Sequence, residues 1–125
     1  MKYFLSLAIF LLSSCTNQGG HWQHYRLSAF DEARTRDMTI FLHFHTEKNP
    51  VCEKQKADLE EVIKDKTFKN VGAYRVAFGT EKVLQNFYAV REPCVLLVFK
   101  GDQIKTRIAS DVGPELLKIA LRQGL

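Results

Sequence analysis

The chain has 125 residues, 46% of them hydrophobic and 26% charged, with 18 basic and 14 acidic side chains and a formal charge of +4. That length builds one domain with a modest core and is too little for two. The charge is too slight, and too mixed with acidic residues, to argue for nucleic acid.

Met1-Lys2 gives a positive start, and Tyr3 to Leu12 is an apolar run broken only by Ser6. A helix that spans a bilayer needs about 20 apolar residues. The run is therefore too short to span, and residues 1–14 read as a secretory signal. Leu12-Ser13-Ser14 leads directly into Cys15. This ending resembles the lipobox of bacterial lipoproteins. The resemblance implies that Cys15 carries lipid, heads the mature chain and holds it to a membrane of the bacterial cell envelope. The domain then faces the periplasm or the cell exterior. The other reading of the same residues is an ordinary signal peptide whose Cys15 is a thiol, free or paired. Residues 15–21 follow as the lipidated cysteine and a polar tether, leaving 22–125 as the domain. With Cys15 set aside, Cys52 and Cys94 remain, and an even pair in an exported chain is a disulfide candidate.

Ser28-Ala-Phe-Asp31 predicts a helix to about Arg36, capped by Ser28. Trp22 and Tyr25 read as packing anchors for it. Thr39 to His45 is β-branched and aromatic with both faces mostly apolar, as in a strand buried inside a sheet. Asn49-Pro50 opens the next helix, since Asn is a strong N-cap and Pro favours the first helical position. Val51, Leu59, Val62 and Ile63 give it an apolar face, and the helix ends before Asn70. The run Glu53 to Glu61 reads as a solvated face with Glu60 and Lys64 at i,i+4. Val71 to Phe78 reads as a strand, and Thr80 to Tyr88 as a helix burying Val83, Leu84 and Phe87. Cys94 to Phe99 is a strong strand, Gly101-Asp102 a turn, and Gln103 to Ala109 the antiparallel return. Gly113-Pro114-Glu115 opens a last helix, with Leu116, Leu117, Ile119, Ala120 and Leu121 assigned to the core. Strands alternating with helices, then a hairpin, predict an α/β mixed sheet with helices on both faces.

Three stretches in this order resemble the thioredoxin fold family over roughly Trp22 to Leu121. Ile40 to Cys52 is similar to the family's buried strand and its Cys-x-x-Cys helix start. Phe87-Tyr-Ala-Val-Arg-Glu-Pro93-Cys is similar to the segment that leads into its penultimate strand. Lys100-Gly-Asp-Gln-Ile is similar to the hairpin that follows. The opening from Trp22 to Arg34 is similar to exported thioredoxin-like domains with an extra helix before the first core strand. The departures bear on function. Asn49 stands where the family has its attacking cysteine, Cys52 keeps the second cysteine, and His43 replaces a buried acid. Pro93 takes the place of the family's usually cis proline if one residue is deleted in the preceding loop. Otherwise Cys94 takes it.

Exchange between thiols and disulfides needs a thiolate and a second, resolving thiol. Asn49 supplies neither, so a cycle within one Cys-x-x-Cys motif is impossible. The resemblance implies that the loop bearing Pro93 lies against the start of the Cys52 helix. Cys52 and Cys94 would then be near enough to bridge, as a structural staple or as a replacement redox pair. The helix N-terminus would favour a Cys52 thiolate, although the family's second cysteine is largely covered. His43 is a candidate base for Cys52, or a packed core histidine. The candidate site is thus Cys52, Cys94, Pro93 and His43. His43, His45 and Cys52 lack a fourth ligand for a metal, and His21 and His24 have ligand-like spacing beside the tether. The bland reading of packed or surface histidines is favoured for both, and no metal or cofactor is expected. The functional expectation is thiol–disulfide exchange, or the handling of a thiol-bearing protein partner, at a membrane surface. The competing expectation is a redox-inactive thioredoxin-fold module that binds a protein through the groove near Pro93.

Overall fold

The computed structural model describes residues 19–125. The signal segment, Cys15 and most of the tether lie outside the described residues. Among those described, no helix is long and apolar enough to cross a membrane.

Strand β1 (Trp22–His24) is followed by helix α1 (Leu27–Thr35) and strand β2 (Thr39–His45). Helix α2 (Pro50–Val62) leads through a short 3-10 turn at Lys66–Phe68 to strand β3 (Gly72–Ala77) and helix α3 (Lys82–Phe87). Strands β4 (Val95–Lys100) and β5 (Gln103–Ile108) precede helix α4 (Pro114–Arg122). The five strands form one sheet in the order β1-β3-β2-β4-β5. The β1-β3-β2 side is parallel, while β4 runs antiparallel to both β2 and β5. The sheet is therefore mixed, as the order of elements predicts.

Every residue of β2 is buried, as its two-sided apolar pattern requires. Alternation along the strand divides its side chains between two cores. Ile40, Leu42 and Phe44 join Phe30, Tyr74, Leu84, Val95, Leu97 and Phe99 under α1 and α3. Phe41 joins Leu59, Phe68, Leu96, Val98, Leu117 and Leu121 under α2 and α4. His43 and His45 share Phe41's parity, so two polar side chains enter the α2 side of the sheet.

The N-terminal edge differs from the expectation. Strand β1 was not anticipated. Its Trp22 sits beside Ala73 of β3 and donates from its indole nitrogen to the Leu59 carbonyl at 3.1 Å. The tether is also tied down before the domain begins: the Gly20 amide donates to the Ile63 carbonyl at 2.9 Å. A Cβ on Gly20 would lie 2.6 Å from the Phe68 carbonyl oxygen, so glycine permits this close approach. Ser28 is not a cap, because α1 begins one residue earlier, at Leu27, with Arg26 as an N-cap lacking a side-chain bond.

Two apolar faces are also corrected. In α3, Leu84 and Gln85 are buried while Val83 and Phe87 are 86% and 76% exposed. In α4, Leu117, Ala120 and Leu121 face the core, and Leu116 and Ile119 face outward. The pairing of Glu60 with Lys64 gives way to Glu60 with Arg75 at 3.4 Å and Lys64 with Glu61 at 3.1 Å.

Candidate functional site

Asn49 sets the start of α2 and so places Cys52. Its side-chain oxygen accepts from the Val51 amide at 3.0 Å and the Cys52 amide at 3.3 Å. Its carbonyl accepts from the Glu53 amide at 2.9 Å. Pro50 has no amide hydrogen to satisfy. The first turn is thereby saturated, with Cys52 at its third position and wholly buried.

The loop before β4 supplies the partner. The Cys94 amide donates to the Phe44 carbonyl at 2.8 Å, extending the β2–β4 ladder by one bond. Cys94 has φ +67°, a left-handed conformation that costs a side chain with a Cβ about 1–2 kcal/mol. Cys52 and Cys94 form a disulfide across 42 positions, with their Cα atoms 4.7 Å apart. That spacing lies within the range such bonds accept. Cys94 is 4% exposed and Cys52 0%. Pro93, half-buried, sits next to the bond, and no peptide among the described residues is cis.

A buried polar chain runs from the disulfide into the sheet. Gln55, one turn along α2 from Cys52, donates its side-chain amide to the Cys94 carbonyl at 2.9 Å and to the Ser110 carbonyl at 2.8 Å. With both donors spent, its oxygen is left to accept, and it lies 3.1 Å from His43 Nε2. His43 therefore carries its proton on Nε2. Its Nδ1 accepts from Arg75 Nε at 3.4 Å. Burial, opposed only in part by the Gln55 bond, pushes the His43 pKa down to about 3, and nearby Arg75 adds to the fall. The guanidinium of Arg75 lies 4.9 Å from the Trp22 ring centre. Burial likewise lowers the Arg75 pKa, against the pull of Glu60.

The structure thus brings Cys52, Cys94 and Pro93 together and sends His43 elsewhere. Both ring nitrogens of His43 are engaged, by Gln55 and Arg75, which leaves neither free to act as a base for Cys52. His43 instead orients Gln55. His45 is bonded to Glu53 at 2.9 Å. Its ring centre lies 5.7 Å from that of His43. The residue that sequence reasoning missed is Gln55. Its signal was available, because Cys52, Gln55 and Leu59 lie three and four apart and share one helical face.

A separate cavity of about 280 Å³ opens between α1 and α3, lined among others by Tyr25, Arg34, Glu81 and Phe87. Burial and the nearby Glu81 raise the Tyr25 pKa to about 12. None of its lining residues belongs to the disulfide or to the buried polar chain.

No protein-family model matches the chain, and no curated protein matches it. Solved structures do. A protein named Trxlp from Edwardsiella tarda EIB202 is 20% identical, with a TM-score of 0.76 over 80% of this chain and 97% of that one. A thioredoxin of Malassezia sympodialis, Mala s 13, is 17% identical, with a TM-score of 0.73 over 86% and 93%. A thioredoxin from Trypanosoma brucei brucei is 13% identical, with a TM-score of 0.67 over 87% and 93%. Identities this low show the fold alone. The fold of this chain is thioredoxin-like, an α/β mixed sheet with helices on both faces.

Proposed function

We propose that this chain is a lipid-anchored protein of the bacterial cell envelope that exchanges its Cys52–Cys94 disulfide with a thiol-bearing protein partner. Cys15 is the anchor, and Asn49 stands where the fold family has its attacking cysteine. One observation carries the reading: the bond joins the N-terminus of α2 to a residue in left-handed backbone. Both ends favour opening. A thiolate on Cys52 is stabilised by the aligned peptide dipoles of a 13-residue helix. Opening the bond also removes one of the restraints, beside the Phe44 and Gln55 hydrogen bonds, that hold Cys94 in its left-handed conformation. Stabilising the reduced form and straining the oxidised one each raise a disulfide's potential. Burial opposes both, since a covered bond exchanges slowly and desolvation disfavours a thiolate on the buried Cys52.

The burial of both cysteines favours a second reading. In it the bond is a staple and the domain binds a protein without redox chemistry, through the surface beside Pro93. Exchange with a dithiol peptide separates the two. Under native conditions the oxidised protein should lose its bond at a rate first order in peptide. A rate independent of peptide, equal to that of global unfolding, supports the staple.

A further inference from the structure

We infer that exchange at this disulfide has a fixed polarity: the partner's thiolate attacks Cys94, and Cys52 leaves. The inference rests on the exchange reading above and adds which sulfur the partner bonds to. Displacement at a disulfide needs an incoming thiolate at one sulfur, with the electron pair departing on the other. The two sulfurs differ in access and in what receives the charge.

Cys52 is wholly buried within a helix whose first turn is locked by the Asn49 cap. Cys94 belongs to the loop between Val90 and β4, retains 4% exposure and has the half-buried Pro93 beside it. Of the two cysteines, Cys94 is therefore the one an incoming thiolate meets first. The charge argument agrees. If Cys94 is attacked, the departing thiolate forms on Cys52, at the positive end of α2. If Cys52 is attacked, the thiolate forms on Cys94, which belongs to no helix and whose carbonyl accepts from Gln55. The better-stabilised thiolate leaves faster.

The chemistry balances with a dithiol partner. One partner thiolate forms a bond to the Cys94 sulfur, the Cys52–Cys94 bond breaks, and Cys52 holds the electron pair. The partner's second thiolate then attacks its own sulfur in the mixed disulfide and displaces Cys94 as a thiolate. The partner is oxidised to a disulfide, and Cys52 and Cys94 are reduced to two thiols. The reverse sequence reduces a partner disulfide through the same bond to Cys94.

Reduced glutathione, a monothiol, forms the mixed disulfide of the first step, and an early quench traps it before a second glutathione displaces Cys94, so it serves as the probe. The full chain in its oxidised form, without substitution at either cysteine, is mixed with glutathione under native conditions. It is quenched with excess N-ethylmaleimide, digested and read by mass spectrometry. The expected result is glutathione on Cys94 with maleimide on Cys52, in excess of the opposite labelling by about tenfold or more. Glutathione mainly on Cys52, or equally on both, overturns the polarity and leaves the exchange reading standing. Labelling that appears only in denaturant overturns both.

Discussion

Gln55 donates to the carbonyl of Cys94 at 2.9 Å while accepting from His43, so the helix that carries one cysteine is bonded to the loop that carries the other. The link survives reduction, because it uses the Cys94 backbone and not its sulfur. The reduced protein therefore keeps the two thiols near each other, and re-forming the bond needs little reorganisation. Gln55→Ala should leave the buried Cys94 carbonyl short of a donor, at about 1–3 kcal/mol. Re-oxidation of the reduced variant should be slower than that of the wild type, measured by thiol loss after reductant is removed.

The Asn49 cap is a second point of control. Asn49→Ala removes the acceptor for two amides and should cost about 1 kcal/mol, seen as a lower urea midpoint at unchanged slope. Asn49→Asp keeps the acceptor and should retain most of the stability. An unchanged midpoint in the alanine variant would show that α2 starts without this cap.

His43 gives an acid dependence whose sign is fixed by its surroundings. Its pKa falls from 6.5 to about 3 on folding. Above pH 6.5 both states are neutral at this position and the stabilisation is complete. As pH falls from 6.5 toward 3, the unfolded chain takes up a proton that the folded chain refuses. Stability should then drop by about 1.4 kcal/mol per pH unit from this residue. His43→Gln can still donate to Gln55 but binds no proton. Denaturation from pH 7 to 4 should show a shallower acid loss in the variant, and parallel curves would contradict the assignment.

Much of this arrangement could be read from residue types whose effects are local. Asn49-Pro50 set a helix start because both act through their own backbone neighbours. Thr39 to His45 had to be central, since a strand apolar on both faces has no solvent side. What escaped depends on the partners a residue meets after folding. Strand β1 has three residues, with His24 and Gln23 exposed, and no period to detect. It is a strand because β3 offers an open edge. The six residues of α3 present two apolar candidates too many, and burial of Leu84 and Gln85 turns Val83 and Phe87 outward. Gln55 lay within a run of charges that read as solvent-facing. It is buried because the His43 ring, the Cys94 carbonyl and the Ser110 carbonyl together satisfy its amide. Cysteine count and export made Cys52 and Cys94 a disulfide candidate, but that the two meet in space followed only from the resemblance to the thioredoxin fold.

Membrane attachment is tested apart from the domain. Cys15→Ser should yield a chain that no longer sediments with membranes, since stable anchoring needs more than one acyl chain and the substitution removes the lipidated cysteine. Mass spectrometry of the mature wild-type protein should show lipid on Cys15. An unmodified Cys15 thiol would reject the anchor.

The disulfide's contribution to stability also separates the two readings. Closing a loop of this length should add about 4 kcal/mol in the chain-entropy model. If the oxidised form holds Cys94 under strain and the reduced form gains from a Cys52 thiolate, the difference between oxidised and reduced protein should be clearly smaller. Urea unfolding with and without reductant measures it. A difference of the full amount or more would favour the staple.

The most direct test of the exchange reading is the midpoint potential of the Cys52–Cys94 pair. The full chain is equilibrated in glutathione buffers of graded ratio, and its free thiols are trapped and counted. A pair poised for exchange should titrate as a two-electron couple with a midpoint above about −300 mV. A midpoint below that value, with reduction seen only once the chain unfolds, would contradict the account and leave a stapled binding domain.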